Sequence, residues 1–147
     1  MSYELVSLPA MTVMGMGMQT NNQVCEVEIP TFFQKVITEN RFIQIPHKID
    51  ESIVICLYTD YPANFNIATS PYTWMVGMQV SDGGSVPEDM MVKEIPATNY
   101  AMFSCTPTEV GNTWRTIWQT PLKRTFTTDF ERYDTKTGEV RIYIAIK

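Results

Sequence analysis

The sequence has little of what most catalytic and metal-binding sites require. Its single histidine, His47, stands in a Pro-containing stretch, and no Ser/His/Asp, Cys/His or metal-ligand spacing is visible. His47 reads as a solvated loop residue. The three cysteines, Cys25, Cys56 and Cys105, are odd in number and widely spaced, which fits reduced, buried thiols better than a disulfide framework or a zinc site. A glycine-rich phosphate loop is also missing. Asp82-Gly83-Gly84 lacks the following Lys-Ser/Thr and helix start, so it reads as a turn, like Thr135-Lys136-Thr137-Gly138. No metal and no cofactor are expected.

Long apolar runs and clustered positive charge are absent as well. The run from Ser52 to Tyr58 is far short of the ~20 residues that cross a bilayer. Met1-Ser2-Tyr3-Glu4-Leu5 has neither a basic n-region nor an apolar h-region, so a cytoplasmic location is the default expectation, with no membrane partner. The net charge is −5, and only Lys123-Arg124 is locally basic, which a solvated turn explains. Direct binding to a phosphate backbone, which needs clustered Lys and Arg to displace counterions, is therefore not expected.

What is present is a globular composition: 147 residues, 44% hydrophobic and 18% charged, the size of one domain spanning residues 1–147. Its two halves resemble each other, as pseudo-repeats of about 1–82 and 88–147. Val6-Ser7-Leu8-Pro9-Ala10 matches Lys93-Glu94-Ile95-Pro96-Ala97 as an apolar-Pro-Ala step into an extended segment. A helical pattern and two strand patterns follow in each half, giving β-α-β-β units. Phe32, Phe33, Val36 and Ile37 recur at helical spacing after Pro30 and predict a helix over Ile29–Asn40. Thr106-Pro107-Thr108-Glu109 predicts a capping box that opens the second helix. There Val110, Trp114, Ile117 and Trp118 share one side and suit core packing against a sheet.

Strands are predicted at Met11–Met18, Ile53–Thr59, Tyr72–Val80, Ala101–Cys105, Phe126–Tyr133 and Val140–Ile146. Together these elements predict an α+β fold: an antiparallel sheet of six to eight strands with both helices on one face and a concave ligand groove on the other. Alternation puts Thr127, Asp129, Glu131 and Tyr133 on one side of their strand. In the last strand, Val140, Ile142, Ile144 and Ile146 suit the helix-covered core, which leaves Tyr143 to join Glu131 on the free face. Met16 belongs to a methionine row suited to an adaptable binding surface. Tyr58, Tyr72, Trp74, Tyr100 and Phe103 are further aromatic candidates, Trp74 and Tyr58 foremost, although one sequence leaves the register open. An acid among aromatic rings favours a cation with a large apolar surface.

Several motifs carry a resemblance when taken in order. They are Ser7-Leu8-Pro9-Ala10 leading to Val13-Met14-Gly15, then Met75-Val76-Gly77-Met78 and Glu94-Ile95-Pro96-Ala97-Thr98-Asn99-Tyr100-Ala101. Phe130-Glu131-Arg132-Tyr133-Asp134 and Val140-Arg141-Ile142-Tyr143-Ile144-Ala145-Ile146 complete the set. Over essentially the whole chain this set resembles the gyrase-inhibitor-like, AraC-effector-binding domain superfamily. The resemblance implies a duplicated fold with a groove between the repeats, where drug-responsive regulators of this class bind hydrophobic cations through an acidic residue. By motif the matching acid is Glu131, with Tyr143 beside it. Such regulators join the domain to a helix-turn-helix module, for which this sequence has no room, so direct transcriptional control is not expected.

The leading expectation is a binding protein for a hydrophobic or cationic organic molecule, with Glu131, Tyr143, Trp74, Tyr58, Met16, Tyr133 and Phe103 as candidate contacts. Two alternatives stand beside it. One is a hydrolase of electrophilic small molecules with Glu131 as general base, as some relatives hydrolyse strained rings. The other is a protein inhibitor of DNA gyrase, as the superfamily's name suggests.

Overall fold

The computed structural model describes residues 2–147. In chain order its elements begin with β1 (Glu4–Leu8), β2 (Met11–Thr20), α1 (Cys25–Thr38), a 3-10 turn (Arg41–Gln44), β3 (Ile53–Thr59) and β4 (Tyr72–Val80). The second half contains β5 (Met91–Ile95), β6 (Thr98–Cys105), a 3-10 turn (Pro107–Glu109), α2 (Val110–Gln119), β7 (Thr128–Asp134) and β8 (Val140–Ile146). The strands form an eight-stranded antiparallel sheet in the order β1-β6-β8-β7-β3-β4-β2-β5. This is the α+β architecture that the hydrophobic patterning predicts.

The eight strands lie within the six to eight expected, and each half adds one short strand to the three that the pattern places. Leu8-Pro9-Ala10 and Ile95-Pro96-Ala97 do not merely lead into a strand. Each follows a short strand, and the proline, which has no N–H to donate, ends it. Exchanging β1 with β5, β2 with β6, β3 with β7 and β4 with β8 leaves the sheet order unchanged, so a pseudo-twofold axis passes between β3 and β7. The first strand of each half pairs with the second strand of the other, which interlocks the halves.

The register defines the two faces. Phe103, Ile142, Glu131, Cys56, Val76 and Met16 form one continuous cross-strand row, and therefore point the same way. The neighbouring row of Met102, Tyr143, Phe130, Leu57 and Met75 points the other way. On that second face Tyr143 and Phe130 stack with centroids 4.6 Å apart inside a cluster that also gathers Val6 and Leu8 from β1 and Ile95 and Met91 from β5. Residues from both sheet edges share this cluster, so the sheet curls and buries much of this face upon itself. Gly15 and Gly77 are cross-strand partners, and a Cβ on either lies 2.1 Å from a carbonyl oxygen of the facing strand.

Both helices pack on the first face, as expected. The Asn21 side-chain oxygen accepts from the Gln23 and Val24 N–H groups, so α1 starts at Cys25, ahead of Pro30, rather than at Ile29. Val36, Ile29, Phe32 and Phe33 seat α1 on Met16, Trp74 and Val76. The capping box of the second half is present: the Thr106 N–H donates to Glu109 Oε1 at 2.9 Å. Trp114 and Ile117 seat α2 on Ala101, Phe103, Ile142 and Ile144. Phe126 has φ 53°, a left-handed conformation outside the extended range, so β7 begins at Thr128 rather than at Phe126. Among the described residues no helix is long and apolar enough to cross a membrane.

Candidate functional site

α1 and α2 lie side by side on the sheet without closing over it. Between them is a cavity of about 580 Å³. Its floor is sheet: Val54, Cys56 and Tyr58 from β3, Tyr72 and Trp74 from β4, and Glu131 and Tyr133 from β7. Cys25, Ile29 and Phe33 of α1 form one wall, and Val110, Trp114 and Trp118 of α2 form the other. The β3–β4 connection brings Tyr61, Phe65 and Ile67 to the end, where Arg124 also reaches in. The cavity therefore opens on the helix-bearing face. This corrects the expectation of a groove on the opposite face, which the curled sheet fills with its own side chains.

Glu131 lies at the centre of this floor and is 3% exposed. Three neutral donors hold its carboxylate. Trp114 Nε1 donates to Oε2 at 2.6 Å, Tyr58 OH donates to Oε2 at 2.8 Å, and Tyr133 OH donates to Oε1 at 2.7 Å. Burial pushes its pKa above the ordinary value, and the three hydrogen bonds pull against that rise without cancelling it. Burial and the Glu131 charge raise the phenols of Tyr58 and Tyr133 far above their ordinary range, which keeps both protonated as donors. Among the described residues no cation lies within ion-pair distance of Glu131. β3 and β7 are each seven residues long, and laying one on the other matches Cys56 with Glu131 and Tyr58 with Tyr133. The carboxylate thus sits beside the pseudo-twofold axis, between two tyrosines that the axis relates.

A second buried acid, Asp129, lies two residues before Glu131 and has a different environment. Its Oδ2 accepts from Arg124 and from Tyr61 OH, each at 2.7 Å, and its Oδ1 accepts from the Ala145 N–H at 2.8 Å. Arg124 also stacks over Phe126 at 4.3 Å, and Phe126 meets Tyr61 and Phe65. Arg124 is consequently a buried structural cation with a side chain 9% exposed, not the solvated turn residue that Lys123-Arg124 suggests. One acid of the pair is neutralised inside the protein, and the other is not.

Glu131, Tyr58, Trp74 and Tyr133 of the expected contacts line the cavity. Tyr143 does not. Strand alternation correctly separates it from Ile142, but the register sets Ile142, not Tyr143, opposite Glu131, so Tyr143 faces the curled core. Phe103 is fully buried beneath α2, and Met16 is buried beneath α1. Neither reaches the cavity wall, and the methionine row serves as packing. Trp114 and Trp118 were expected in the core. Trp114 does pack there but also binds Glu131, while Trp118 is 42% exposed at the cavity wall. Asp129, Arg124 and the aromatic loop carrying Tyr61 and Phe65 have no distinctive motif. The loop's only signal in the sequence is the density of rings between Tyr58 and Trp74, and that of Asp129 is its place on the Glu131 side of the strand. His47 is exposed, as expected. The cysteines are all free, but only Cys56 is fully buried. Among the described residues no group of His, Cys, Asp and Glu could hold a metal ion.

An antiparallel α+β sheet with a ring-lined cavity between its helices is the architecture of an effector-binding domain. Residues 4–146 match the family model Cass2, described as integron-associated effector binding protein, and the chain belongs to this family. It is 29% identical to the YobU protein of Bacillus subtilis (strain 168), with 90% of each chain covered. An integron cassette protein from the mobile metagenome of Vibrio cholerae shares the fold with a TM-score of 0.77 at 23% identity, covering 99% of this chain and 96% of that one. The structure of SAV2435 bound to tetraphenylphosphonium superposes with a TM-score of 0.79 at 17% identity, covering 100% and 94%. These two likenesses establish the fold.

Proposed function

We propose that this effector-binding protein captures a hydrophobic organic cation in the cavity between α1 and α2, with Glu131 as the countercharge. The observation that carries this reading is a buried carboxylate with no cation of its own among the described residues, set in an apolar wall. An ionised group in such a place costs free energy unless it is paired. A ligand cation supplies the missing charge, and Tyr58, Trp114 and Tyr133 hold the carboxylate in position while presenting ring surface. The other charges on the wall are already paired: Arg124 with Asp129, and Arg115 with Glu26 across the gap between the helices at 3.8 Å. Cation–π contacts add roughly 0.5–2 kcal/mol per ring. Tetraphenylphosphonium, the ligand in the SAV2435 structure, has the chemistry this arrangement suits and serves as the probe.

The test is a fluorescence titration that follows the pocket tryptophans, using tetraphenylphosphonium and neutral triphenylphosphine oxide on the wild type and Glu131→Gln. The expected result is a loss of about tenfold to a hundredfold in cation affinity, the worth of one hydrogen-bonded charge, with little change for the neutral compound. Equal losses for the two probes contradict the charge role. A wild type that binds neither probe contradicts the pocket assignment.

A further inference from the structure

Two buried N–H groups in the cavity wall have no acceptor. Trp74 Nε1 and Arg124 Nε are both sealed from solvent without a hydrogen-bond partner among the described residues. Trp74 is 2% exposed and Arg124's side chain is 9% exposed, and both residues line the cavity. Buried donors are rarely left unmatched, because each forfeits the hydrogen bond it makes in water. The other buried ring donors of this wall are used: Trp114 Nε1, Tyr58 OH and Tyr133 OH on Glu131, Tyr61 OH on Asp129, and Tyr72 OH on Asn22.

Their placement is not random. Trp74 is the cross-strand partner of Tyr58, and Tyr58 is the partner of Asp129, the residue that holds Arg124. Trp74 thus stands on one side of Tyr58, on the row of the floor next to Glu131, and the Arg124–Asp129 pair stands on the other. Trp74 on β4 and Asp129 on β7 lie two strands apart, roughly 10 Å at the usual strand spacing, and Arg124 reaches Asp129 from the segment that precedes β7. Charge decides what they can bind. Arg124 is already neutralised by Asp129, so the wall has no surplus positive charge to offer an anion. It offers N–H groups to a neutral acceptor.

We infer that the ligand is an aromatic monocation that also carries a neutral hydrogen-bond acceptor, such as an ether, carbonyl or hydroxyl oxygen, received by Trp74 Nε1 or Arg124 Nε. This deepens the cation-binding reading and rests on it. It makes Trp74 and Arg124 specificity-determining residues that distinguish an oxygen-bearing cation from a purely hydrocarbon one. In a cavity without free donors, an ether oxygen weakens binding, because it loses water and gains nothing.

The test uses two isosteric cations, butyltriphenylphosphonium and (2-methoxyethyl)triphenylphosphonium, which differ by a methylene exchanged for an oxygen. Their dissociation constants are measured on the wild type, Trp74→Phe, Arg124→Lys and Glu131→Gln. Arg124→Lys removes the Nε donor and keeps a cation for Asp129. On the wild type the methoxyethyl compound is expected to bind about threefold to tenfold more tightly, the worth of one hydrogen bond. That preference disappears in Trp74→Phe, in Arg124→Lys or in both, according to which donor the oxygen meets. In Glu131→Gln both cations weaken together and the preference persists. A wild type that prefers the butyl compound or binds both equally overturns the inference, as does a preference unchanged in both donor variants. Failure of the cation reading looks different: neither cation loses affinity in Glu131→Gln, whatever their ratio.

Discussion

At the scale of single residues, the chemistry turns on how differently two neighbouring acids are treated. Asp129 has a guanidinium, a phenol and a backbone N–H, while Glu131 has only neutral donors. The folded chain holds the Glu131 proton more tightly than the unfolded chain does. As pH rises from the ordinary glutamate value of 4.5 toward the raised one, the unfolded state ionises first, and Glu131 costs stability that stays lost above the folded value. A cation reverses that preference by favouring the carboxylate, so its affinity climbs over the same pH window and levels off above it. Tyr133→Phe removes one of the donors that lower the Glu131 pKa. The midpoint of the affinity–pH curve for tetraphenylphosphonium is expected to move up. A midpoint that stays in place or moves down contradicts the role of the hydrogen bonds around Glu131.

At the scale of elements, alternation within each strand was legible in the sequence, and register between strands was not. Glu131 and Tyr133 share a face as predicted, and Tyr143 and Ile142 fall on opposite faces as predicted. Which of the latter two lies beside Glu131 depends on a one-residue step in the β7–β8 pairing, and period-two patterning carries no information about that step. The location of the pocket was missed for a related reason. A sheet face rich in aliphatic and aromatic side chains reads as core whether a helix or its own curled continuation covers it. Gly15 and Gly77 face each other in the β2–β4 pairing too closely for either to carry a side chain. Gly77→Ala drives a methyl group into the Met14 carbonyl, which is backbone and cannot move aside. A loss of about 3 kcal/mol or more in denaturant unfolding is expected. A loss below about 1 kcal/mol contradicts this close approach of the two strands. The helix signals fared better, because the Thr106–Glu109 capping box is local and needs no tertiary partner.

At the scale of the whole molecule, the duplication builds a symmetric frame around a site that is not symmetric. Strand order, the exchange of first strands and the tyrosine pair Tyr58 and Tyr133 obey the pseudo-twofold axis. Cys56 and Glu131 break it, as do Trp114 on α2 and the aromatic loop between β3 and β4. The two halves supply the sheet and the helices that leave a gap, and the second half alone supplies the charge. The ordered motifs made the family legible across the chain because they mark Pro-Ala steps and strands that the fold uses twice. The side chains that close the cavity lie on the two helices and in the β3–β4 connection, which those motifs do not cover.

If Glu131 is the countercharge proposed above, a cation that binds below the raised pKa expels the Glu131 proton, and proton release measures this directly. Calorimetric titration of tetraphenylphosphonium in buffers of different ionisation enthalpy counts the protons expelled on binding. Within the window above 4.5 where the free protein still holds the Glu131 proton, the wild type is expected to release a proton as the cation binds, and Glu131→Gln to release none. Cation binding with no proton release at any pH in that window, or with the same release in Glu131→Gln, contradicts the account.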